Sequence, residues 1–454
     1  MKLIQTVPAQ NIYHQEVLLT SGDVKPATEQ RIVNVYPEVR YQEIIGFGGA
    51  FTESSAYNYS LLTPEQKQQF MEAHFGPDGL RYNFGRTHIA SCDFSLDIYA
   101  HVEEGDKDLS TFSLERDRKY IIPFLKDAQR YSGEKIMLFA SPWSPPAYMK
   151  DNESAIKGGC LKEEYKALWA QYYCRYIREM EKEGIEIFGI TVQNEPKAIQ
   201  TWESCSYTAQ QEAEFIKMYL APALDENGLS HIKIMIWDHN KERVYDRARD
   251  TLADPAVNDR VWGVAHHWYS GNHFEGLRLV HEQLGKALVC SEICAVINQD
   301  ANDVAERYGI ELCGNFNGFS AAFCDWNILL DENGGPYHNR NKPAKQLPDG
   351  TLFEDKGRGC YAPVLYNTAT QELEFTPIYH YIKHFSRYIA RGAVRVATTN
   401  HDCRMHSVAF RNPDGQLVLV MVNPTDKQIT TNIRRNDQIT GAQMPPHSIA
   451  TVLL

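Results

Sequence analysis

The sequence predicts an α/β fold, a (β/α)8 barrel with an attached all-β side domain of β-sandwich type, and three observations predict it. From about Glu43 to about Leu330, short apolar runs alternate with helix-patterned stretches, the order of repeated βα units. Eight such runs can be counted, the number that closes a barrel. Beyond Val394 the helical patterning gives way to short β-type runs parted by turn signals such as Asn412-Pro413-Asp414-Gly415. The expected division is 1–40 for N-terminal strands that join the side domain, 41–390 for the barrel and 391–454 for the β-sandwich.

The eight runs are Ile44–Phe51, Tyr82–Ile89, Lys135–Ala140, Ile185–Val192, Lys233–Trp237, Val261–His267, Ala287–Ser291 and Phe319–Trp326. Several are apolar without clean alternation, as strands buried on both faces are. Between them, Thr63-Pro64-Glu65-Gln66 and Thr208-Ala209-Gln210-Gln211 read as capping boxes, the first with Pro at the opening helical position. The longest helix is expected from about Leu161 to Lys182, stopping before Gly184. The Gly-, Pro- and Asn-rich stretch from Asp331 to about Thr376 reads as an elaborate loop over the barrel mouth, followed by a helix over about Pro377 to Ile389. In the side domain the β-type runs include Ser407–Arg411, Gln416–Val422 and Ser448–Leu454. The early run Arg31–Tyr36 is expected to pair with them, because an isolated strand leaves its backbone groups unsatisfied.

A chain of 454 residues accommodates one such barrel and a smaller domain. Its 43% hydrophobic and 23% charged residues are an ordinary globular balance that leaves little room for extended disorder. The formal net charge of -12 argues against nucleic acid as a partner, since phosphates call for concentrated Lys and Arg; a neutral substrate suits this surface better. The 25 Tyr, 19 Phe and 7 Trp supply faces that can stack on sugar C–H surfaces, although most aromatic residues in any protein are core. The opening Met1-Lys2-Leu3-Ile4-Gln5-Thr6-Val7-Pro8 has no apolar segment of signal-peptide length, and no run of about 18 apolar residues occurs, so a soluble, cytoplasmic protein without a transmembrane segment is expected. The ten Cys lack a CxxC pair and read as free thiols. No cofactor is expected, and oligomeric state is not legible.

Two segments carry the chemistry. Ile190-Thr191-Val192-Gln193-Asn194-Glu195-Pro196 and Ala287-Leu288-Val289-Cys290-Ser291-Glu292 each place a carboxylate just after a buried strand. In a closed barrel the fourth and seventh strands face one another across the lumen, so Glu195 and Glu292 can flank a substrate bound at the C-terminal rim. Two facing carboxyls cleave glycosidic bonds, with retention when about 5–5.5 Å apart and with inversion when they leave room for water. Alone, either Glu reads more readily as a rim ion pair. The neighbours favour catalysis: Asn194 can donate to a sugar 2-hydroxyl, and Tyr269 in His266-His267-Trp268-Tyr269 can donate to the nucleophilic carboxylate. That His pair also suggests a metal-dependent hydrolase, but adjacent strand residues point to opposite faces and no HExxH spacing occurs, so no metal is expected.

With these segments stand Gly46-Phe47-Gly48-Gly49-Ala50-Phe51-Thr52, Ala90-Ser91-Cys92-Asp93-Phe94-Ser95, Ala140-Ser141-Pro142-Trp143-Ser144-Pro145-Pro146, His267-Trp268-Tyr269, Asp325-Trp326-Asn327 and Gly334-Gly335-Pro336. Together they resemble glycoside hydrolase family 30, the family of lysosomal glucosylceramidase, over nearly the whole chain. The resemblance implies a retaining β-glycoside hydrolase acting on β-glucosides or glucosylceramide-like substrates, with Glu195 as acid/base and Glu292 as nucleophile. It implies that Asp93, Trp143 and Trp326 hold the glycone, that Arg86 lies below the carboxylates and tunes their charge, that His267 supports the site and that Asn341 reaches toward the pocket from the last barrel loop. Four of these have a plainer alternative: a turn residue for Asp93, core packing for Trp143 and Trp326, an ion pair for Arg86. The segment Lys197–Glu203 differs from the lysosomal counterpart, which leaves the aglycone open; Trp202 is either an acceptor platform or a loop anchor. β-Xylosidase and β-1,6-glucanase activities are the alternatives within the family. A catalytically silent carbohydrate-binding protein is the alternative outside it.

Overall fold

The computed structural model describes residues 1–19, 29–338, 359–436 and 438–454, with a short ladder pairing Lys345–Gln346 to Leu352–Phe353. All eight expected strands form one closed parallel barrel: Gly46–Ala50, Phe84–Ile89, Met137–Pro142, Ile187–Thr191, Lys233–Asn240, Val261–His267, Ala287–Glu292 and Ser320–Asn327. The eighth closes on the first, Asp325 opposite Gly49. The strands are buried along nearly their whole length, which is why their sequences read as apolar runs rather than alternations. Gly48 shows how tight the closure is. A Cβ there would lie 1.5 Å from the Phe84 carbonyl oxygen of the neighbouring strand.

Both expected capping boxes form, at Thr63–Gln66 and Thr208–Gln211. The helix expected from Leu161 begins later, at Lys166, after a 3-10 turn over Glu163–Tyr165, because Leu161 is held in a β-bridge with Lys150. It shares its length of 17 residues with Ala301–Asn317. That second helix is hidden in the sequence by Gly309 and Gly314. Both are packing residues, since a Cβ at Gly309 would meet Tyr381 at 2.9 Å and one at Gly314 would meet Phe274 at 2.1 Å. The stretch expected to be loop after Asp331 is partly sheet: Leu329–Asp331, Val364–Asn367 and Glu372–Phe375 form three strands. The helix that follows, Pro377–Ser386, ends before the expected Ile389.

The side sheet has nine strands and draws on both ends of the chain. Lys2–Val7 and Ile12–Leu18 form one edge, beside Ser448–Leu453, and Ile32–Glu43 lies between Val394–Asn400 and Ile429–Arg435. The Arg31–Tyr36 run therefore does pair with the C-terminal strands, over a longer span than expected. Leu417–Asn423 explains how this domain attaches. Leu417, Leu419 and Met421 point into the sandwich core with Val35, Ile433 and Val452, while Val418, Val420 and Val422 join the barrel core. One apolar run thus serves two cores, one on each face of the pleat. Among the described residues no helix is long and apolar enough to cross a membrane, and none of the ten Cys is in a disulfide.

Candidate active site

Glu292 is the last residue of the seventh strand, so the barrel itself aims it at the rim. Glu195 is placed differently. The fourth strand ends at Thr191, and Glu195 sits in a short extension pinned by backbone hydrogen bonds from Asn194 N to Pro142 O, 2.9 Å, and from Glu195 N to Asp238 O, 3.0 Å. Its φ of 47° is left-handed, as are those of Trp237 (72°) and Asp238 (46°) across the same contact. Non-glycine residues in that region store strain that the surrounding bonds must hold, a pattern concentrated at functional sites.

Beneath the two carboxylates lies a fully buried network. Arg86 Nη1 donates to Glu292 Oε2 at 2.6 Å, and its Nη2 donates to Asp238 Oδ2 at 2.7 Å and to Asn194 Oδ1 at 2.9 Å. Asp238 also accepts from Thr191 Oγ1 at 2.7 Å, Ser291 Oγ at 2.6 Å and His267 Nε2 at 3.0 Å. Tyr269 Oη donates to Glu292 Oε1 at 2.7 Å, although its ring is 43% exposed. His267 stands between the carboxylates, its Nδ1 3.4 Å from Glu195 Oε1 and 3.8 Å from Glu292 Oε1. Those two oxygens therefore cannot be farther apart than the two contacts combined, which admits the retaining spacing of about 5–5.5 Å.

The charges settle accordingly. Burial alone would drive the His267 proton off, but the charge of Glu292 and the contacts to Asp238 and Glu195 outweigh it and push its pKa up to about 10. Burial would likewise raise Glu195, yet His239 and His267, with Nδ1 atoms 3.5 and 3.4 Å from its Oε1, hold it below the ordinary carboxylate range. Asp238 is lowered too, the Arg86 charge and the His267 bond overcoming its burial. Asp93 goes the other way, raised by burial and by the charges of Glu292, Glu203 and Glu195; its Oδ1 is buried without a hydrogen-bond partner.

Above the network opens a cleft of about 630 Å³, lined by Asp93, Trp143, Asn194, Glu195, Tyr269, Glu292 and Trp326, a volume typical of small-ligand sites. Trp143 and Trp326 stack on one another, centroids 5.2 Å apart, and are 1% and 2% exposed. The Arg86 guanidinium lies 4.7 Å from the Trp143 ring and 5.4 Å from that of Trp326, so the pair is both pocket floor and lid on the buried cation. Trp202 and the 73% exposed Ile199 form the outer wall with Val296. Asn341 lies outside the described residues.

Four residues of this site were not singled out from the sequence: Asp238, His239, Gln200 and Cys294. Asp238-His239 follows the apolar run Ile234–Trp237 just as Glu292 follows its own strand, so the same strand-end signal was available at the fifth strand. Gln200 Nε2 reaches Glu195 Oε2 at 3.2 Å from a loop, and Cys294 Sγ lies 3.6 Å from Tyr269 Oη. His266 turns away to Ser320 Oγ at 2.7 Å, as strand alternation requires. Glu195, His239 and His267 bring three possible metal-ligand atoms within 4.8 Å of one another, a grouping distinct from the adjacent His pair.

The model of the glycosyl hydrolase family 30 TIM-barrel domain matches residues 44–389, and that of the family 30 β-sandwich domain matches 392–452. The lysosomal acid glucosylceramidase of Mus musculus is 28% identical over 449 residues, 93% of this chain and 83% of that one. The crystal structure of SrfJ from Salmonella typhimurium superposes with a TM-score of 0.92 at 32% identity, over 100% of this chain and 99% of that one. The endo-β1,6-glucanase BT3312 superposes with a TM-score of 0.85 at 25% identity, over 99% and 98%.

Proposed function

This chain belongs to glycosyl hydrolase family 30, a family of retaining glycosidases, and on that premise we propose that it hydrolyses β-glucosides with an apolar aglycone, Glu292 acting as nucleophile and Glu195 as acid and then base. The observation that carries the assignment is the His267 nitrogen shared by the two carboxylates. Glu292 is oriented by Arg86 and Tyr269, both donors, and so presents an oxygen to the anomeric carbon. Glu195 is next to the group that holds the proton. Its Oε1 lies 3.4 Å from His267 Nδ1, and the proton resting on His267 reaches the leaving oxygen through Glu195.

Charge movement drives that transfer. When Glu292 attacks, its negative charge passes into an ester, and the largest influence holding the proton on His267 disappears. The proton moves to Glu195 and on to the departing oxygen as the bond breaks. In the second half, ionised Glu195 takes a proton from water, the hydroxide attacks the anomeric carbon, and Glu292 leaves with its charge restored, which draws the proton back onto His267. Asp93, with its unpartnered oxygen, and Asn194, whose amide oxygen is occupied by Arg86 and whose NH2 remains as donor, supply polar contacts for sugar hydroxyls.

The aglycone follows from the wall of the cleft. Ile199, Trp202 and Val296 contribute apolar surface to the cleft beside the polar Gln200, Thr201 and Gln299, and an apolar aglycone can lie on that surface. Glucosylceramide, on which the mouse glucosylceramidase acts by its name, fits that chemistry, and β-1,6-glucan, on which the endo-β1,6-glucanase BT3312 acts by its name, is the second reading. Aryl β-glucoside, glucosylceramide and β-1,6-linked glucose disaccharide assayed side by side decide between them. Turnover of the lipid well above that of the disaccharide is expected, and the reverse order would assign the glucan.

A further inference from the structure

We infer that Glu195, His239 and His267 form a binding site for a divalent transition metal of the zinc class, whose occupation reversibly switches the hydrolase off. The donor atoms already have the right spacing. In tetrahedral zinc coordination with bonds of about 2.0–2.1 Å, neighbouring ligand atoms lie about 3.3–3.5 Å apart. Glu195 Oε1 is 3.5 Å from His239 Nδ1 and 3.4 Å from His267 Nδ1, and all three lie within 4.8 Å of one another.

Two further observations point to a ligand. Both Nδ1 atoms are buried and, beyond their 3.5 and 3.4 Å contacts with Glu195 Oε1, have no hydrogen-bond partner, and the His267 side chain is 0% exposed. His267 also donates its other nitrogen to Asp238 at 3.0 Å, the carboxylate–histidine arrangement that orients metal-binding imidazoles and leaves the opposite nitrogen to coordinate. Two imidazoles and one carboxylate suit zinc, copper or nickel better than magnesium or calcium. The ion enters in exchange for the imidazole proton, which leaves to solvent, and the fourth position faces the cleft. Glu195 coordinated in this way can neither deliver nor accept a proton, so both halves of the reaction stop.

A competing thiol site must be separated from this one, because Cys294 and Cys360 lie in the same cleft with sulfurs 3.3 Å apart. The test is cobalt titration of the full chain, read by visible absorption, beside zinc inhibition of aryl β-glucoside hydrolysis with chelator reversal. One cobalt per chain with intense tetrahedral bands, displaced by zinc, and sub-millimolar zinc inhibition reversed by chelator are expected. His239→Ala should raise the half-inhibiting zinc concentration at least about 100-fold, beyond the 10–100-fold typical of a supporting partner, whereas Cys294→Ser should leave it unchanged relative to its own uninhibited rate. The cobalt spectrum reads the site without reference to catalytic roles, so its failure is distinct from failure of the glycosidase assignment. Absent tetrahedral bands, inhibition untouched by His239→Ala, or inhibition abolished by Cys294→Ser would each overturn the inference.

Discussion

A carboxylate earns a chemical role from what touches it, and Glu195 and Glu292 are touched differently. Glu292 receives Arg86 and Tyr269, whereas Glu195 receives Gln200 and the edges of two imidazoles. Glu195→Ala should therefore depress kcat/KM for unactivated glycosides by about 10²–10⁴-fold while barely affecting kcat/KM for aryl glycosides with acidic leaving groups, which need little protonation; kcat on those aryl glycosides should still fall, because release of the sugar lacks its base. Azide should restore turnover as a β-glycosyl azide; equal losses on both substrate types would move the acid elsewhere. Asp238, which holds both Arg86 and His267, offers a separate check. Asp238→Asn removes one of the influences that keep the His267 proton in place, so the alkaline limb of the kcat/KM profile should move to lower pH along with a fall in rate of about 10². An unshifted limb would reduce Asp238 to scaffolding.

The elements show which local signals survive folding. Thr63 and Thr208 could be read from the sequence because a capping box is satisfied within four residues. The Ala301–Asn317 helix could not, since its glycines answer to Phe274 and Tyr381, partners remote in sequence. A similar remote contact joins Pro377–Ser386 to the sheet: His384 meets Thr451 Oγ1 and Thr6 Oγ1, each at 2.8 Å. Burial lowers its pKa to about 3. The unfolded chain, with an ordinary His near 6.5, thus binds the proton first, and this contribution to stability is lost as pH falls from about 6.5 toward 3, at up to about 1.4 kcal/mol per unit. Thermal unfolding followed from pH 7 to pH 4 should show a shallower decline in Tm for His384→Gln than for the parent, and parallel slopes would remove His384 as the cause.

At the scale of the molecule, the barrel was legible because eight buried strands leave eight apolar runs, and the two carboxylates were legible because they stand where those runs end. The lower half of the site was legible only in part, at Arg86 and His267. Asp238 and His239 carry a strand-end signal, but their partners appear only when the fifth strand is placed between the fourth and sixth, which brings them against Glu195 and His267. Much of the side sheet was also obscure, because its outer strands alternate and one side of it is built from Lys2–Val7 and the edge strand Ile12–Leu18 at the far end of the chain. The shared strand Leu417–Asn423 makes the two bodies mutually dependent. Residues 44–389 expressed alone should lose the cover supplied by Val418, Val420 and Val422 and aggregate or fail to unfold cooperatively. A monomeric, cooperatively melting barrel fragment would show that the sandwich is dispensable for folding.

The central claim is that Glu292 carries the sugar between the two halves of the reaction, and a 2-deoxy-2-fluoro β-glucoside with a good leaving group tests it most directly. Fluorine destabilises the oxocarbenium-like transition states, while the good leaving group still allows the first step, so the covalent adduct accumulates. Peptide mass spectrometry of the inactivated protein should place the fluoroglucosyl group on Glu292, with proton NMR of ordinary turnover showing the β-anomer released first. A label on any other carboxylate, or α-glucose as the first product, would contradict the account.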